Sequence, residues 1–170
     1  STPYPGTIQD LTYNLFSILA DQRLSEACGL QACDIHLDGD TPYINLVEHP
    51  WRRLKTSSSN RQVPLVGASL WAAHRIVDAG HSFAFPKYCS EAKCNANSAS
   101  AALNKWLKPK VSDECVIYYF RHSLRDRLRA IECPDDIIDA IGSWTTEGIG
   151  HQYGKGHSLA IMHGWMRKLP

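Results

Sequence analysis

The feature that most constrains this chain is a break in its helical patterning. Most of the sequence repeats apolar residues every three to four positions, as amphipathic helices do. Residues 35–65 do not. Pro42 to Val47 and Arg61 to Leu65 instead read as short strands, and Thr56-Ser57-Ser58-Ser59-Asn60 between them is a polar turn. A β-hairpin inside a helical chain must be closed over by the helices on either side. The expectation is one mostly helical α+β domain with a small antiparallel sheet near its start.

The flanking segments carry clear helix signals. Thr7 to Ala20 has an apolar stripe at Ile8, Leu11, Leu15, Ile18 and Leu19. Asp21 can cap a second helix over about Arg23 to Gly29, with Leu24 and Leu30 inward. Helical patterning resumes over Ala68 to Ala79, stopped by Gly80. Phe83-Ala84-Phe85-Pro86 is a short apolar piece, and Lys87 to Ala96 reads as irregular loop. Asn97 or Ser98 can cap a helix to Leu107, closed by Pro109. Phe120 to Glu132 is strongly amphipathic, and Pro134 suits the start of a helix to about Ile141. Residues 142–156 are rich in Gly, Thr and Ser, and Ser158 to Lys168 forms a last helix. No repeat or internal domain boundary is visible.

At 170 residues the chain has the size of one domain. No apolar run approaches the roughly 20 residues of a membrane helix. The first residues lack the charged and apolar regions of a signal peptide, so a cytoplasmic location is expected. The six cysteines include two C-x4-C pairs, Cys28/Cys33 and Cys89/Cys94. That spacing is wider than most zinc sites use, and disulfides are uncommon inside cells. The expectation is small buried or half-buried thiols, without bound metal. A net charge of +1 does not by itself suggest nucleic acid. The cations are clustered, however. Arg52, Arg53, Lys55 and Arg61 form one group, and Arg121, Arg125, Arg127 and Arg129 another.

Four short motifs could carry chemistry. His122-Ser123-Leu124-Arg125 puts an imidazole and a guanidinium on one helix face, and the guanidinium fork suits a phosphate. Arg23-Leu24-Ser25-Glu26 begins a helix. Lys55 precedes the polar turn and the Arg61-Gln62-Val63-Pro64-Leu65 strand. Gly142-Ser143-Trp144 is followed nine residues later by Tyr153. Each alone has an ordinary explanation: a solvated helix face, an i, i+3 ion pair, a surface lysine, a core tryptophan, a surface tyrosine.

Together and in this order, from about Thr7 to Tyr153, they resemble the catalytic domain of the tyrosine recombinases, the phage-integrase family. Arg23 to Leu30 (R-L-S-E-A-C-G-L) is similar to the family's first arginine motif, and Asp34-Ile35 to the element that follows it. Trp144 stands where histidine is commoner. The resemblance implies a DNA-breaking and rejoining enzyme that needs neither metal nor cofactor. Tyr153 would attack a DNA phosphate to give a 3′-phosphotyrosyl link and a free 5′-hydroxyl. Arg23 and Arg125 would clamp the phosphate, and Trp144 would donate from its indole. Lys55 would protonate the leaving oxygen, and His122 would accept the tyrosine proton or bond the phosphate. Glu26 would hold the site from behind, through Arg23 or His122.

Arg52, Arg53, Arg61 and Arg121 are the further residues expected to meet DNA. Double-stranded DNA and other protomers, four in a recombining complex, are the implied partners, in a bacterial nucleoid. The chain alone is expected to be monomeric and to lack the DNA-binding domain that usually precedes the catalytic one. The last helix would dock on its own core or on a neighbouring protomer. A type IB topoisomerase, a catalytically silent DNA-binding relic of an integrase and a Cys/His metalloprotein are the alternative readings.

Overall fold

The computed structural model describes residues 22–54, 60–144 and 158–170. The expected first helix at Thr7 to Ala20, Lys55, the turn residues Thr56 to Ser59 and Tyr153 lie outside the described residues. The rest is an α+β fold, about half helical, with a three-stranded antiparallel sheet. Helix α1 is Leu24–Cys28, followed by a 3-10 turn at Ala32–Asp34. Strands β1 (Ile35–His36), β2 (Tyr43–Leu46) and β3 (Arg61–Pro64) come next. Helices α2 (Gly67–Asp78), α3 (Ala96–Leu107), α4 (Tyr118–Ala130), α5 (Asp135–Gly142) and α6 (Leu159–Met166) follow. Among the described residues no helix is long and apolar enough to cross a membrane.

The sheet order is β1-β2-β3, with Ile44 opposite both Ile35 and Val63. Period-2 alternation turns Ile44, Leu46 and Val63 inward. The sequence shows β2 and β3 as a hairpin. It does not announce β1, because two residues are too few to display a period. The inner face of the sheet meets Leu30, Ala72, Ala73, Ile76, Phe85, Leu103 and Leu107 in one apolar core.

A second core joins Leu124 and Leu128 of α4, Ile137, Ile138 and Ile141 of α5, and Met162 and Met166 of α6. Helix α6 therefore docks on the chain's own core. Strand β3 is packed by both α5 and α6, so it links the two cores.

The loop before α3 corrects one expectation. Cys89 and Cys94 are not free thiols but a disulfide. Ser90 and Lys93 exchange backbone hydrogen bonds and the Asn95 N–H reaches the Tyr88 carbonyl, so residues 88–95 form a tight hairpin. Its antiparallel register puts the two cysteines opposite each other, Cα atoms 4.1 Å apart. A C-x4-C spacing across a two-residue turn is thus a cross-strand pair. Cys28, Cys33, Cys115 and Cys133 remain thiols. Burial pushes the Cys28 thiol up to about 11, so it stays protonated.

Candidate functional site

A cleft of about 780 Å³ opens between the start of α1, one face of α3, the first turns of α4 and the Ser143-Trp144 segment. Arg23, Arg121 and Arg125 all line it. Arg23 is the residue before α1, and the Glu26 carboxylate accepts its backbone N–H at 2.9 Å, half of a capping box. The cap fixes the direction in which the Arg23 side chain leaves the helix. Its guanidinium meets Glu26 Oε1 at 3.3 Å and the Ser143 carbonyl at 3.5 Å, closing the cleft across the whole chain.

Glu26 is the hub behind the cleft. It is 1% exposed, and it also accepts two bonds from Arg61, at 3.2 and 3.1 Å. Burial would raise its pKa. The paired hydrogen bond and charge of Arg61, with help from Arg23, outweigh that and hold the carboxyl below its ordinary value. Arg61 in turn donates from Nε to the Ile141 carbonyl at 3.1 Å, tying β3 to the end of α5.

The α5 terminus explains how Trp144 is aimed. Ser143 adopts a left-handed conformation (φ 51°), and the Trp144 N–H returns to the Asp139 carbonyl at 3.1 Å. The chain therefore doubles back, as helix C-termini often do, though usually on glycine. Here the glycine is one residue earlier. The Trp144 ring lies directly on Gly142, where a Cβ would overlap it.

Two guanidiniums lie over that ring, Arg121 at 4.6 Å and Arg125 at 5.4 Å from its centroid. Arg125 also stands 3.8 Å from Asp139. Arg121 is 8% exposed and donates from Nη2 to the Gly142 carbonyl. Its Nη1 is buried and, among the described residues, has no hydrogen-bond partner. Burial pushes its pKa down to about 10. The charges of Arg23 and Arg61 act the same way, and Glu26 and Tyr118 oppose them. It remains a cation at neutral pH. Three guanidiniums, one with a buried donor left over among the described residues, give the cleft the chemistry to take an anion.

The structure sorts the expected site residues. Arg23, Arg125 and Trp144 come together. His122 does not line the cleft; it is exposed, its ring edge-on to Tyr118 at 4.7 Å. Glu26 bonds Arg23, as expected, and not His122. Two of the four arginines expected to face DNA, Arg52 and Arg61, are tied up inside the protein. Arg52 is 2% exposed, bonded to the Glu26 and Val47 carbonyls at 3.0 and 2.6 Å and 3.7 Å from Asp34. Its stem rests on Gly29, where a Cβ would come within 2.7 Å of it. Arg61 is committed to Glu26. Arg121 faces the cleft and not an outer surface. Only Arg53 of the four is exposed.

Sequence reasoning undervalued Arg121 and missed Tyr118. The signal for Arg121 was present, since Leu124 and Leu128 follow it at i+3 and i+7, on the buried face. Among the described residues no group of three or more His, Cys, Asp or Glu is placed to hold a metal. No protein-family model, curated protein or solved structure matches the chain.

Proposed function

We propose that this chain is the catalytic domain of a tyrosine site-specific recombinase, with Tyr153 as nucleophile. The observation that carries the reading is the meeting of Arg23, Arg121 and Arg125 around Trp144 in one cleft. Residues that the motifs spread along the chain converge where a phosphate would need them.

In the reaction, the Tyr153 phenol gives up its proton to solvent water, its oxygen bonds to phosphorus and the bond to the 5′-oxygen breaks. Lys55 gives that oxygen its proton. Negative charge gathers on the non-bridging oxygens, where preorganised guanidiniums are most effective. Arg23 and Arg121 are best placed to take them, with Arg125 beside Trp144 as a third cation. A 5′-hydroxyl from a second strand reverses the step. One phosphodiester replaces another, so no outside energy is required.

The test is covalent trapping on a nicked duplex carrying the core site found at the borders of the parent element. Wild type should form a denaturation-resistant adduct through a 3′-phosphate, and Tyr153→Phe should form none. An adduct that persists in Tyr153→Phe, or a wild type that binds the duplex without cleaving it, overturns the reading. Exchange of strands between two duplexes, as opposed to relaxation of a supercoiled plasmid, separates a recombinase from a topoisomerase.

A further inference from the structure

We infer that Tyr118, and not His122, is the side chain of α4 that faces the phosphate beside Arg121, and that His122 acts by holding the Tyr118 ring. This rests on the reading of the cleft as a phosphate site and adds a residue to it.

Tyr118 opens α4 and is 65% exposed, yet its exposed side lines the cleft. It stands one turn before Arg121, so the two side chains share a helix face. Among the described residues nothing accepts or donates a hydrogen bond at the Tyr118 hydroxyl, so the O–H is available to a ligand. The His122 ring meets the Tyr118 ring edge to face, 70° between planes, which limits the directions the phenol can take. The cleft residues of α4 are thus Tyr118, Arg121 and Arg125, a stripe at i, i+3 and i+7. A tyrosine O–H can donate one hydrogen bond to a non-bridging oxygen.

Tyr118→Phe is the informative variant, because it keeps the ring and its contact with His122 and removes one donor. Adduct formation in single turnover should slow about 10- to 100-fold, the effect of losing one hydrogen bond to a charged oxygen. The melting temperature should not move. His122→Ala should slow the same step less. The double variant should be no slower than Tyr118→Phe, because His122 works through the phenol. A Tyr118→Phe rate equal to wild type, or effects that multiply in the double variant, overturns the inference.

Calorimetric titration with inorganic pyrophosphate reads the site without any cleavage. Tyr118→Phe should bind it about three- to tenfold more weakly than wild type. If that holds while wild type forms no adduct, the recombinase reading fails and the Tyr118 assignment stands. Equal pyrophosphate affinity in the two proteins overturns the assignment.

Discussion

Replacing Glu26 with glutamine should damage this protein more than any other single neutral-for-charged change. The carboxylate is buried and receives the Arg23 backbone N–H, one Arg23 guanidinium bond and two from Arg61. Arg23 is partly exposed and can turn to water. Arg61 cannot, since its side chain is 7% exposed and pinned to the Ile141 carbonyl. Glu26→Gln therefore leaves one buried guanidinium without its counter-charge. It also turns an amide NH₂ toward donors. Removing one partner of a buried ion pair costs about 3–5 kcal/mol. In a chain this long each kcal/mol moves the melting temperature by about 2–4 °C, so a drop of about 6–20 °C is expected by calorimetry. Glu26→Leu with Arg61→Met, which removes both charges, should recover much of the loss. The acid limb follows from the same pair. The folded carboxyl has a pKa below that of the unfolded chain. Its contribution is full above the unfolded carboxylate pKa and is lost as pH falls through the lower folded value. Glu26→Gln should flatten that limb. A loss under about 1 kcal/mol, or an unchanged acid limb, would refute the hub role, since an exposed pair is worth no more than that.

Gly142→Ala should force the Trp144 ring off its seat and cost about 1–3 kcal/mol, the range for overpacking. Denaturant unfolding measures it, and a neutral result would mean the ring does not lie on Gly142. Arg52→Met should lower stability by about 1–3 kcal/mol by leaving the Glu26 and Val47 carbonyls without their side-chain donor, and leave the salt dependence of duplex binding untouched. A shallower salt slope in that variant would mean Arg52 reaches DNA after all. Reducing the Cys89–Cys94 bridge should lower the unfolding free energy by about 2 kcal/mol, as expected for so short a loop. Cys89→Ser with Cys94→Ser should abolish that sensitivity to reductant, which a urea titration with and without dithiothreitol will show.

Sequence period carried the architecture far. The β2–β3 hairpin, α2, α3 and α5 all stand within a few residues of where apolar spacing and caps put them. The failures share a cause: each depended on what a residue meets across the fold. Strand β1 exists because Ile35 finds Ile44. The disulfide exists because a two-residue turn sets Cys89 against Cys94. Helix α4 begins at Tyr118, two residues before the amphipathic pattern is visible, so the pattern alone puts a cleft residue in the preceding loop. On α4 the spacing leaves the cleft face open for a related reason. His122 and Arg125 satisfy a spacing, but the spacing does not say which face of the helix looks at the cleft. The buried stripe through Arg121, Leu124 and Leu128 does say so, once an arginine is admitted to an apolar face.

That admission also resolves the puzzle of charge. A net charge of +1 argues against a phosphate-binding protein only if every ionised group is on the surface. Here it is not. Arg52 with Asp34, and Arg61 with Glu26, are interior pairs of opposite charge whose contributions at the surface largely offset each other. Subtracting matched pairs leaves the total unchanged, which is why the total is uninformative. What a ligand meets is the distribution that remains. In the cleft this is Arg23, Arg121 and Arg125 with the Asp139 carboxylate behind Arg125. The same scaffold pairs orient the cleft cations, since Arg61 fixes Glu26 and Glu26 fixes Arg23. A buried arginine behind the cleft can therefore be as necessary to the proposed chemistry as one that lines it. Its failure would first be read in the position of its neighbour.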